Sequence, residues 1–428
     1  MRADPGAPGR FGAAWLAKVR RDGRWRMHAV LGAILGALLL ATSLATAALW
    51  PDAEQVPIHG AADAAGSEII TVRVTDVVPI PCAQGGPGAD GAGEPAAAAE
   101  PSSSDCFEVR ATLPVGKPVS FTLNHMNTHP VTPQEGDRVR VITGGSSESG
   151  DAQYYFYDYP RSGKLLVIAV VFALIVIGVG RWRGALSLVG VAAAVGVLVA
   201  FVLPAVLAGK PPILVAVTAS AGIMTLVLYL AHGISHRTTA ALFGAIFGIL
   251  FTAVAGFGVT RWLRFSGIAS TEDASLLVAV PGLNMNDLLT ATIVIAGLGV
   301  LNDITVAQAS AVWEMRELNP QASKRRLYLA AMRIGRDHIA SSIYTLVFAY
   351  AGAMLGVLLL IYTYPRDLLD LITSEQIAQE VVRTLIGAAG LVLSMPVTTA
   401  LAVLFAREPR ADDAPAAGGG DAAAVRVS

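Results

Sequence analysis

The sequence predicts an α-helical polytopic membrane protein of about eight transmembrane helices, with a small all-β extracytoplasmic domain, an OB-like barrel or sandwich, between helices one and two. Three observations carry this. Hydrophobic residues make up 54% of the 428 residues and charged residues only 15%, against roughly 25% charged in a soluble domain, and the mean hydropathy is +0.57. The apolar residues fall in runs close to the roughly 20 needed to span a bilayer. One long polar stretch, 51–164, shows instead the period-two alternation of strands. A net charge of −1 gives no basic field for nucleic acid. Two cysteines are too few for an iron–sulfur or Cys-rich zinc centre.

A basic segment, 1–29, precedes the first apolar run, 30–49, and the positive-inside bias keeps that end cytoplasmic. Ala45-Thr46-Ala47 also fits a signal-peptidase pattern, but the run is long for a signal sequence, so a retained anchor is the expectation. Further runs at about 165–180, 185–207, 212–231, 239–259, 288–309, 339–362 and 385–405 make a membrane block over 165–406, followed by a tail, 407–428, expected to be disordered and cytoplasmic. Basic residues test this order independently. They gather before the first run, at Arg181 and Arg183, at Arg237, from Arg316 to Arg336, and at Arg407 and Arg410. The alternate short loops hold only Lys210, Arg261, Arg264, Arg366 and Arg383. An even number of spans with both termini inside fits this asymmetry.

Within the 50–164 domain, Glu68–Val78, Phe107–Leu113, Pro118–Leu123 and Arg138–Ile142 read as strands. The Gly/Ala/Pro/Ser insert 83–104 cannot bury a core and is expected to be disordered. Cys82 and Cys106 flank it, and in an oxidising compartment a disulfide closing that loop would contribute about 3 kcal/mol; two unpaired thiols are the alternative. His125 and His129 have i, i+4 spacing, but Pro130 argues for a loop, so no metal site is expected. Tyr154, Tyr155, Phe156, Tyr157 and Tyr159 read as an aromatic belt before helix two.

Ionisable groups inside a span are functional suspects. On the sixth helix Asp303 lies about 22 Å along from Leu288. Thr292, Ala296, Gly299, Asp303, Ala307, Ser310 and Glu314 share one face at spacings of three and four. Asp303, Asn302, Asp287, Glu314 and Ser310 are the transport or ion-pathway candidates. The rival reading is a buried packing face with Asp303 bonded to a neighbouring arginine or backbone N–H. Pro281–Asp287 breaks an apolar stretch, either as a discontinuous segment or as an outer loop in which Asn286 or Asp287 caps the helix. Arg333, Arg336, Asp337 and His338 are candidates at the inner face: Arg333 and Asp337 are spaced to pair, and either arginine could meet Asp303. Lys324, Arg325 and Arg326 suit anionic lipid. His232 and His236 lack the Glu of a zinc-protease motif, and no Gly-x-Ser-x-Gly or phosphate-loop motif occurs, so neither an enzyme nor a cofactor is expected. Gly32/Gly36, Gly244/Gly248 and Gly352/Gly356 read as packing pairs within the bundle.

The runs Gly297–Asp303, Ala309–Glu314, Arg333–Ser342 and Ala349–Gly352 resemble the YibE/F family of bacterial multi-spanning membrane proteins, over about Leu165–Phe405. The resemblance implies an N-terminal anchor, an extracytoplasmic segment and a seven-helix block in the cytoplasmic membrane, without supplying a reaction. The expectation is therefore a permease for an ion or small solute. The alternative is a non-transporting envelope scaffold or assembly factor that binds a partner, or a second copy, through its outer domain. Cysteine introduced at Glu272 should react with an impermeant maleimide added outside cells, and cysteine at Lys324 should not; the reverse labelling would overturn the topology.

Overall fold

In the computed structural model the described residues are 24–51, 68–81, 105–123, 132–146, 152–363 and 367–406. Most of the basic N-terminus, Cys82, the 83–104 insert, His125, His129 and the tail lie outside them. The chain divides into two compact units, one within Pro57–Gly178 and the other from the remaining segments.

The first unit holds β1 (Ile69–Pro81), β2 (Asp105–Thr112), β3 (Pro118–Leu123), β4 (Arg138–Ser146) and β5 (Ala152–Asp158). They form one antiparallel sheet in the order β3-β2-β1-β4-β5. The long β1 serves both sides: Ile69–Arg73 pairs with β4, and Arg73–Pro81, with a bulge between Val74 and Asp76, pairs with β2. A bulge sharpens local twist, which lets one strand bridge two halves of a curved sheet. Alternate side chains, Val72, Val74, Val109, Ala111, Val119, Phe121, Leu123, Val139 and Val141, make the core. Cys106 is buried at 4% exposure and disulfide-bonded; its expected partner, Cys82, is outside the described residues. The aromatic cluster is corrected by the structure. Tyr154 to Tyr157 lie in β5, where Tyr154 and Phe156 pack on the core while Tyr155 and Tyr157 point outward. Strand alternation sets their directions.

The helices are α1 (Arg24–Leu49), α2 (Ser162–Val197), α3 (Leu203–Leu207), α4 (Pro212–His232), α5 (His236–Trp262), α6 (Thr271–Ala279), α7 (Met285–Leu318), α8 (Lys324–Ala353), α9 (Leu355–Tyr362), α10 (Leu368–Thr373) and α11 (Glu375–Phe405). Six helical stretches among the described residues are long and apolar enough to cross a membrane. The sequence expectation of eight differs for two physical reasons. The runs 165–180 and 185–207 belong to one 46-residue helical stretch, broken at Arg181, whose φ of 51° is left-handed. The run 339–362 is divided between α8 and α9 at Met354, and α8 opens with a charged half that lowers its hydropathy.

Packing centres on α5, α7 and α11, with α4 against α7 and α5, and α8 against α11 and α7. Along α1, Leu35 and Leu38 pack on this core, and Trp50 stacks on Phe201 at 5.9 Å. Glycines set the spacing. A Cβ on Gly244 would overlap Thr398 Oγ1, one on Gly248 would strike Leu301, and one on Gly390 would lie 2.5 Å from Thr252 Cγ2. Of the three GxxxG pairs only Gly244/Gly248 has this role. Gly32/Gly36 and Gly352/Gly356 meet nothing within 4 Å, which corrects their assignment to the bundle interior. Gly244→Val should therefore lower stability in detergent by about 2 kcal/mol or more, the scale of core overpacking, while Gly356→Val leaves it nearly unchanged. Equal thermal shifts of the two purified variants would contradict this packing.

Candidate functional site

Helix α7 begins at Asn284, whose side chain accepts the Asp287 N–H at 3.0 Å. The cap is thus Asn284, in place of the expected Asn286 or Asp287; its short side chain reaches the third amide of the first turn. Asn286 instead donates to the Phe265 carbonyl at 2.9 Å, and Asp287 pairs with Arg261 at 2.9 Å. These bonds tie the α5–α6 connection to the start of α7. Asp287 is therefore engaged in a fixed ion pair at the helix end.

Further along, the two sides of α7 differ. Ile293, Val294, Gly297, Leu301, Ile304, Thr305, Gln308 and Val312 are buried in the bundle. The face predicted from helical spacing is the other one: Gly299, Asp303 and Glu314 are exposed, and Thr292, Ala296, Ala307 and Ser310 half-buried. The shared face is present as expected, and the reading of it as a buried packing surface is corrected. α7 has 34 residues, about 51 Å, against a hydrocarbon core of about 30 Å. Whichever end protrudes from a bilayer, a spanning α7 keeps Asn302 and Asp303 inside the apolar layer.

Both ends of the stripe carry ion pairs. At one end Arg383 of α11 reaches Thr292 Oγ1 at 3.3 Å and pairs with Glu380. At the other, Arg237 of α5 donates to Ser310 and lies 3.9 Å from Glu314. Between them Asp303 has no hydrogen bond or ion pair among the described residues. Beside it the Asn302 Oδ1 is buried and accepts nothing. The arrangement offers an exposed carboxylate with no partner among the described residues midway along a small-residue stripe that has an ion pair at each end, and a buried, unpartnered amide oxygen on the preceding residue.

The expected partners of Asp303 are elsewhere. Arg333, Arg336, Asp337 and His338 are exposed on α8, and neither arginine bonds Asp303. Nor do Arg333 and Asp337 form the i, i+4 pair. Flexible solvated side chains gain only a few tenths of a kcal/mol from such pairing. Sequence reasoning missed Arg237, Glu380 and Arg383, whose signal was available: charges set just inside or beside apolar runs. It also missed Glu375, which accepts from the Ser266 and Gly267 amides at 2.7 and 3.0 Å and fastens α11 to the α5–α6 connection. No group of three or more His, Cys, Asp or Glu able to hold a metal occurs among the described residues.

No curated protein matches the chain, and no solved structure does. A family model described as YibE/F-like protein matches residues 168–408, which include the stripe, Arg237, Glu380 and Arg383. That match spans more than half of the sequence, and the chain belongs to the YibE/F-like family.

Proposed function

We propose that this protein is a multi-pass permease of the bacterial cytoplasmic membrane, not an enzyme, and that an ion or small solute moves along the exposed stripe of α7. The observation that carries the reading is Asp303: a carboxylate at the middle of an apolar helix with no partner among the described residues. A charged group at bilayer depth costs about 2.5–3.5 kcal/mol even on the insertion scale that rates it lowest. A residue of that cost with no compensating bond serves a purpose that needs its charge. With Asn302 Oδ1 beside it the site presents the oxygen ligands that hard cations prefer. Eight crossings with both termini inside fit the distribution of basic residues, the break at Arg181 and the division at Met354. In the outer unit the order β3-β2-β1-β4-β5 suits an OB-type barrel, with β3 and β5 as its meeting edges.

A second reading, an envelope scaffold, draws on Tyr155 and Tyr157, 48% and 50% exposed on the terminal strand β5, because tyrosines are enriched at protein interfaces. Flux through vesicles containing the purified chain separates the two. The wild type should move at least one member of a panel of monovalent and divalent cations and small solutes. Asp303→Asn should cut that flux at least tenfold with inserted protein within twofold of wild type, while Asp287→Asn should act mainly by lowering abundance. Wild-type flux equal to empty vesicles throughout the panel, or full flux in Asp303→Asn, would defeat the transport reading.

A further inference from the structure

At the junction of α7 and α8 a cleft of about 640 Å³ is lined by Met315, Ser323, Arg325, Arg326, Arg333 and Ile334, with two further residues of α8. Three of these are arginines, and among the described residues none of the three has an ion pair. Their positions explain the convergence: Arg326 and Arg333 are seven apart on α8 and so share a face, while Arg325 sits on the first turn beside them. Ser323 is the N-cap of this 30-residue helix and accepts the Arg326 amide at 3.3 Å, so the positive end of the helix dipole opens at the same place.

A fourth arginine follows the lining residue Met315 in sequence. Arg316 is 5% exposed; its Nη1 donates to the carbonyls of Pro320 and Ala322 at 3.3 and 2.7 Å, holding the turn that delivers Ser323. Its Nε and Nη2 are buried without partners, and among the described residues no carboxylate forms an ion pair with it. The nearby acids do not fill the cleft. Glu314 is near Arg237, and Glu317 and Asp337 are exposed and absent from the lining. Lys324, although next in sequence, is absent from it too.

We infer that this cleft is a phosphate-binding site, with Arg325, Arg326 and Arg333 gripping the phosphate of an anionic lipid headgroup or of a soluble phosphorylated molecule. The arginine fork matches phosphate oxygens two at a time, which a lysine cannot do. A loose attraction of basic residues to a negative surface would depend on charge alone.

The test uses the full chain in nanodiscs of neutral phosphatidylcholine. One arm titrates inorganic phosphate; the other replaces part of the lipid with phosphatidic acid, without added phosphate, and counts retained lipid by native mass spectrometry. Saturable binding is expected in at least one arm: the phosphate arm assigns a soluble ligand, and the lipid arm alone assigns a headgroup. In the responding arm Arg326→Gln and Arg333→Gln should each weaken binding about tenfold or more. Arg333→Lys, which keeps charge and loses the fork, should weaken it at least fivefold, and Lys324→Gln should stay within twofold. All three positions, 324, 326 and 333, are exposed, so these variants keep the fold, which the elution volume checks. No saturable binding in either arm, wild-type binding by Arg333→Lys, or a Lys324→Gln loss equal to that of Arg333→Gln would overturn the assignment.

Discussion

Two hydrogen bonds from one buried amide hold the bundle at its centre. Gln308 of α7, 1% exposed, donates to the Ala331 carbonyl of α8 at 2.9 Å and to Thr399 Oγ1 of α11 at 2.8 Å. In an apolar interior an unpaired amide costs several kcal/mol, so three helices are obliged to meet at this level. They can do so because Gly335 lacks a side chain: a Cβ there would press on Gln308 Oε1 at 2.8 Å and on Met395. The position of α8, and with it the place where Ser323 and Arg333 face Met315, follows from that contact.

Several of the remaining interior hydroxyls look inward to their own helices. Thr305 bonds the Leu301 carbonyl, Ser394 that of Leu391, Thr398 that of Ser394, and Thr252 that of Ile249. Such back-bonding satisfies a polar group without a neighbour and leaves small methyl-bearing surfaces to pack against Gly244 and Gly390. The heart of α5, α7 and α11 is thus filled and largely self-satisfied. The carboxylate of Asp303, without a partner among the described residues, stands on the exposed side of α7, away from the packed middle of the bundle.

How far the sequence could lead is visible in α7. Helical spacing placed Thr292, Asp303, Ser310 and Glu314 on one face, and they share it, because 3.6-residue periodicity is a local property. It could not tell inside from outside, since small and polar residues suit a tight helix contact and an open stripe equally. Nor could it choose the arginines: Arg333 is nearer in sequence to Glu314 than Arg237 is, yet the fold brings Arg237 to Ser310 and Glu314. Tertiary pairing of this kind leaves no periodic mark. In the sheet unit β1 to β4 were legible from alternating apolar residues. β5 was hidden because its inward residues, Tyr154 and Phe156, alternate with equally aromatic outward ones, leaving no contrast to read. The breaks at Arg181 and Met354 carry no Gly or Pro at the breaking residue, the usual marks of interrupted helices.

The acids of α7 show where its constraint is unresolved. Asp287 meets Arg261 near the first turn, and Glu314 has Arg237 near the last. Both occupy ends that snorkelling side chains and water can reach. Asp303 stands at the middle, where the described residues provide neither reach nor pairing. The free energy withheld there must come from outside the described residues: a water-filled recess, a cation, or a protein surface laid over the stripe. A cover that merely paired with Asp303 would need one cation at that level. Water or a moving ion would need a continuous lane of small side chains on both sides of it. Ala296, Gly299 and Ala307 supply that lane for about 16 Å, between two ion pairs that leave no free charge to hold a cation at either mouth.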